Sequence, residues 1–132
     1  MPKVVIDTNV FLSGVLFGGI PALLLDAIQN QKFVFCTSQQ NYEEVLNKLI
    51  YKFLVDKAIL DDVAMIFGYG VFYVPTIQVV FPHDPKDAYL LELAETCNAD
   101  YLITGDQKHL LPLKVWKTTK IITPHQAQNI LL

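Results

Sequence analysis

Apolar residues fall along the chain in short runs that switch between strand-like and helix-like spacing. Lys3 to Ile6 carries Val4-Val5-Ile6 without a break and reads as a short buried strand. Asp7-Thr8-Asn9 ends it with residues that favour turns and helix caps. Pro21 to Asn30 places Leu23, Leu24, Ala27 and Ile28 at helical spacing, with proline in the first turn, and Phe33 to Cys36 reads as a second strand. Ser38 is a suitable N-cap for a helix whose buried stripe is Tyr42, Val45, Leu46, Leu49, Ile50 and Phe53. Asp56 opens another helix through Leu60, Val63, Ala64 and Phe67, which Gly68 and Gly70 stop, so these two helices are expected to form a hairpin. Val71 to Val74 is a third strand. A loop with Pro75, Pro82 and Pro85 then delivers Asp84 and Asp87 to the start of a helix that runs to about Cys97. Tyr101 to Ile103 is a fourth strand, a brief helical turn follows Asp106, Lys120 to Ile122 is a fifth strand, and Thr123-Pro124 opens a closing helix to Leu132.

Alternation of this type predicts the α/β class: a three-layer sandwich with a mostly parallel five-stranded sheet flanked by helices. Ligands in such sheets sit beyond the carboxyl ends of the strands, where Asp7 and Asp106 fall. The pattern contains no internal repeat, linker or low-complexity stretch. A chain of 132 residues fits a single domain, residues 1-132.

Composition narrows the function. Hydrophobic residues make up 52% and charged residues 17%, ample for a core with apolar surface left over, so a homodimer is expected. The net charge of −3 excludes the global basic field behind avid, sequence-blind nucleic-acid binding, so any nucleic acid must be gripped locally. All ten basic residues are lysine, which excludes an arginine finger from this chain. The longest apolar runs are too short for a membrane span and no N-terminal secretion signal is legible, so no membrane partner and a cytoplasmic location are expected. Cys36 and Cys97 lack metal or redox spacing and read as buried free thiols.

Four segments each bring a carboxylate toward one rim: Val4 to Asp7, Tyr42-Glu43-Glu44, Asp84-Pro85-Lys86-Asp87, and Tyr101 to Asp106. Singly, each acid has an ordinary role as turn cap, helix N-terminal acid or solvated surface. Jointly they repel one another unless a hard, oxygen-seeking cation neutralises them, and a cation held this way usually acts on phosphates.

Val4 to Phe11, with Ser13 and the Phe17-Gly18-Gly19 step, closely resembles the opening of PIN-domain proteins, in particular the VapC-like toxins of toxin-antitoxin pairs. Asp84 to Asp87, Leu90 to Ala94, Ala99 to Asp106 and Leu110-Leu111 are similar to that family's second half in order and spacing. The resemblance implies a metal-dependent ribonuclease. Its acids Asp7, Glu44, Asp87 and Asp106 would be both catalytic and metal-binding, holding one or two Mg2+ or Mn2+ ions. Asn9 and Thr104 are cast as groups that orient those carboxylates. Successive helical residues point about 100° apart, so one of Glu43 and Glu44 is expected to face the cleft; Glu44 is preferred because it stands beside the buried stripe at Val45 and keeps the spacing from Ser38 and to Leu49 that the family shows, and Asp84 is a candidate fifth acid. Lys86 and Lys108 flank the proposed ligands as candidate RNA contacts. The family also implies an RNA substrate and a small antitoxin protein that blocks the cleft.

Competing readings are a phosphatase with Asp7 as nucleophile and a non-catalytic module that binds RNA or protein. A phosphatase of the haloacid-dehalogenase type would have a second Asp where Asn9 stands. A glycosidase would need an aromatic sugar platform that nothing in the chain marks. His83, His109 and His125 share no zinc spacing. Trp116 with Lys114 and Lys117 is a candidate stacking and phosphate-binding patch or an interface element.

Overall fold

The computed structural model describes residues 1–80 and 84–132; Pro82 and His83, singled out in the sequence, lie outside the described residues. The elements run β1 (Lys3–Ile6), α1 (Thr8–Phe17), α2 (Gly19–Gln29), β2 (Val34–Thr37), α3 (Gln39–Asn47), α4 (Lys57–Gly68), β3 (Val71–Phe72), α5 (Pro85–Cys97), β4 (Tyr101–Ile103), β5 (Val115–Trp116), β6 (Thr119–Ile122) and α6 (Pro124–Leu131). A wider, π-type turn, Lys48–Lys52, continues α3, and a short 3-10 turn, Leu111–Leu113, precedes β5.

One sheet holds all six strands in the order β3-β2-β1-β4-β6-β5. Every pairing is parallel except β5 with β6. The α/β class and the mostly parallel sheet agree with the pattern, but the described residues form six strands where five were expected. The extra one, β5, is two residues long and forms an edge hairpin with β6, too short to leave a period-2 signature. The third strand also ends at Phe72 rather than Val74, shortly before Pro75, which has no amide to donate to a ladder.

Alternate residues of the strands face opposite layers. Val4, Ile6, Ile103 and Ile122 pack into one core with α1, α2, α3, α4 and α6, whereas Val5, Leu102 and Ile121 pack with Leu90, Leu91, Leu93 and Ala94 of α5. The first core is centred on Phe11, Phe35, Phe67 and Tyr42, whose rings contact one another between α1, β2, α4 and α3. Cys36 and Cys97 are free and buried in the second core.

Helix α1 was not legible as a period, because Thr8 to Phe17 is apolar almost all round. Gly18 and Gly19, at φ 77° and 69°, turn the chain through 101° into α2, a left-handed geometry open to glycine. Gly14 lets the two helices approach: a Cβ there would lie 2.9 Å from the Pro21 carbonyl oxygen. Among the described residues no single helix is long and apolar enough to cross a membrane.

The sheet order explains where a ligand would sit. The chain leaves β1 toward β2 on one side, while β4 lies on the other, so the carboxyl ends of β1 and β4 open a crevice at a topological switch point.

Candidate metal centre

Asp7 follows β1 at that crevice and caps α1, accepting the Asn9 amide on Oδ1 at 3.2 Å. Thr104, fully buried after β4, donates its hydroxyl to Asp7 Oδ2 at 2.8 Å. The same Thr104 oxygen accepts the Asp106 amide at 3.1 Å, so one hydroxyl ties the two acids' segments together. Asp106 Oδ1 in turn accepts the amides of Lys108 and His109, each at 3.0 Å, from the turn that follows.

Helix α5 starts with Asp84 as N-cap, its Oδ1 accepting the Lys86 amide at 2.8 Å, and carries Asp87 in the first turn. Asp87 is buried, 7% exposed, and its Oδ2 has no hydrogen-bond partner. Glu44 enters from α3, capped by Ser38, whose oxygen accepts the Asn41 amide and the Tyr89 hydroxyl. These residues surround a polar cleft of about 190 Å³ that is lined by Asp7, Asn9, Glu44, Asp84, Lys86 and Asp87, among others. Three helices, α1, α3 and α5, begin at this cleft, and their amino ends favour negative charge there.

The acids differ in charge state. Burial pushes Asp7 above the usual carboxylate range, tempered by the Thr104 hydroxyl and the Asn9 amide and reinforced by Glu44 and Asp106. Burial also lifts Asp87, from an ordinary 3.8 to about 7, with the neighbouring Asp106 carboxylate next in weight. For Asp106 burial acts upward too, but the amides of His109 and Lys108 outweigh it and hold its carboxyl below the usual range. A deeply buried carboxylate oxygen without a donor, among acids pushed toward protonation, is a deficit of positive charge.

Of the two adjacent glutamates, Glu44 lines the cleft while Glu43 is exposed and accepts from Gln39. Asn9 contributes its backbone amide to Asp7 and its side-chain oxygen to Lys48 Nζ, 3.3 Å away. Lys108 is exposed beside Asp106. Trp116 is drawn away from the cleft, half-buried against the second core with its indole N–H on Glu95 at 2.6 Å. Lys48 escaped sequence reasoning, although its position one turn after Glu44 is the spacing of a helical ion pair. Tyr89, which lines the cleft with Gln40 and anchors Ser38, left no comparable signal.

The donors suit a hard cation, since all are oxygens and two buried ones, Asp87 Oδ2 and Glu44 Oε1, accept no hydrogen bond. Among the described residues, no three acids, histidines or cysteines already stand close enough to share one ion directly. An ion that keeps its own waters needs only one or two direct carboxylates, so this spacing fits Mg2+ better than a dehydrated cage.

A sequence profile of the PIN domain matches residues 3–108, well over half of the chain and inclusive of every acid in the cleft. No curated protein and no solved structure matches it significantly.

Proposed function

Because the chain belongs to the PIN-domain family, whose members are generally nucleases, we propose that it is a Mg2+- or Mn2+-dependent ribonuclease that hydrolyses RNA phosphodiester bonds. The observation that carries this reading is the buried, unpartnered Oδ2 of Asp87 beside Asp7 and Asp106. Asp7, Asp87 and Asp106 would hold one or two ions, with Glu44 as the fourth acid at the rim. When bound, such ions lower the pKa of an attacking water and stabilise the leaving oxygen.

The chain's own groups supply the rest. The Thr104 hydroxyl fixes the orientation of Asp7, and the Lys108 and His109 amides keep Asp106 ionised and aimed. With no arginine in the chain, positive charge for the RNA backbone comes from lysine, and Lys86 stands at the cleft. Within this reading the protein is the toxin of a toxin-antitoxin pair, an antitoxin covers the cleft, and a homodimer buries apolar side chains such as Phe17 and Leu54, 78% and 79% exposed. A non-catalytic RNA- or protein-binding module is the second reading, favoured by the lack of a ready-made three-ligand group among the described residues.

A Mn2+ titration of melting temperature, paired with RNA cleavage, decides between them. Wild type should gain stability as RT ln(1 + [L]/Kd), and Asp7→Asn or Asp106→Asn should lose both that gain and cleavage while remaining folded. Full cleavage by both variants would sink the ribonuclease, and no thermal response in wild type would favour the non-catalytic module.

A further inference from the structure

Among the described residues, two lysines at the cleft both go to Glu44 rather than to the more buried aspartates. Asp7 and Asp87 are 9% and 7% exposed, and Asp87 Oδ2 is unpartnered. Yet Lys48 Nζ and Lys86 Nζ each lie 3.3 Å from the same atom, Glu44 Oε1, on a side chain 24% exposed. Lys48 arrives from the turn after α3 and also reaches Asn9 on α1, while Lys86 arrives from the first turn of α5. Glu44 raises the Lys86 ammonium pKa more than any other neighbour does. Asp84, the remaining acid near Lys86, already has its Oδ1 on the Lys86 amide.

The cleft is therefore divided. Among the described residues, no lysine is paired with its aspartate end, and at its Glu44 end two ammonium groups lie 3.3 Å from one carboxylate oxygen that accepts a hydrogen bond from neither. We propose that Lys48 and Lys86 grip a backbone phosphate of the RNA, and that Glu44 holds both ammoniums off the aspartates until a phosphate oxygen replaces its own. This rests on the ribonuclease reading and deepens it by naming where the substrate phosphate binds.

Three physical reasons support the exchange. A phosphate oxygen and a carboxylate oxygen are equivalent acceptors for an ammonium ion, and Lys binds either as a point charge. The Lys86 side chain is 65% exposed, so its pair with Glu44 is screened and is broken at little cost. Lys48, only 25% exposed and tied to Asn9, is held facing the cleft when the carboxylate is given up. An ammonium group placed on Asp87 instead would compete with a divalent cation for the oxygens that need one.

The test uses fluorescence anisotropy of a single-stranded RNA oligonucleotide over a salt series, with Ca2+ in place of Mn2+ to slow turnover. Lys48→Gln and Lys86→Gln are compared with wild type and with Lys57→Gln, an exposed lysine paired with Asp61 on α4. Each cleft variant should reduce the slope of log affinity against log salt by about 0.7 and weaken binding by about threefold to tenfold, with Lys57→Gln unchanged. The Mn2+-induced rise in melting temperature should persist in both cleft variants. Wild-type affinity and slope in both variants would overturn the phosphate grip and leave the ribonuclease standing. Loss of the Mn2+ response would also overturn it, by making the lysines part of the ion site. A wild type that binds no RNA would overturn both readings.

Discussion

Replacing Asp87 with Asn should stabilise the metal-free protein at alkaline pH. In the folded state burial and the neighbouring Asp106 lift this carboxyl from 3.8 to about 7, so the native protein keeps a proton that the unfolded chain releases. A raised carboxyl pKa contributes stability that is fully present below 3.8 and is lost as pH rises through 7, so wild-type stability falls between about pH 4 and 7. At about 1.4 kcal/mol per pH unit, the gap between 3.8 and about 7 corresponds to about 4 kcal/mol at pH 8. Part of that cost is the repulsion between Asp87 and Asp106. An Asn amide removes it while keeping the shape and a donor toward Asp106, so about 2 to 4 kcal/mol should be recovered. In EDTA at pH 8 the variant should melt roughly 5 to 12 °C above wild type. At pH 5, where Asp87 is protonated in the native state but largely ionised in the unfolded chain, the gap should shrink to about 1 to 2 kcal/mol. A variant no more stable than wild type at pH 8, or a gap that does not shrink at pH 5, would refute the reasoning. Excess Mn2+ should then reverse the order, because only wild type retains the carboxylate.

Other substitutions test the frame around the cleft. Thr104→Val leaves Asp7 Oδ2 without its donor and the Asp106 amide without its acceptor, and should cost about 1 to 3 kcal/mol in urea melts, with Thr104→Ser restoring most of it. Gly14→Ala sets two effects against each other: alanine favours a helix by about 1 kcal/mol, but its Cβ would meet the Pro21 backbone at 2.9 Å. Backbone cannot swing aside as a side chain can, so a net loss of about 1 to 3 kcal/mol is expected, and an increase in melting temperature would show that α1 and α2 can part.

Much of the fold was legible because the forces that set its elements act over a few residues. Asp7, Ser38, Asp56 and Thr123 stand where their side chains cap helices, as their residue types foretell. Strands β1, β2 and β4 are unbroken apolar runs because helices cover both faces of the sheet. The same locality hid α1, whose apolar residues on every side leave no period, and β5, whose two residues take strand form only from pairing with β6. It also made Asp84 and Asp87 resemble ordinary helix N-terminal acids, and one of them is indeed the cap.

What the sequence determined by itself was the set of elements and the acids at their ends. Which partner each acid takes was decided only in three dimensions. Thr104 donates to an oxygen of Asp7 that is 97 residues away in sequence, and Lys86 crosses from α5 to Glu44 on α3. The lysines settle on Glu44 and leave Asp87 Oδ2 without a donor because burial, reach and repulsion are summed over four segments that meet at one crevice, and no local pattern contains that sum.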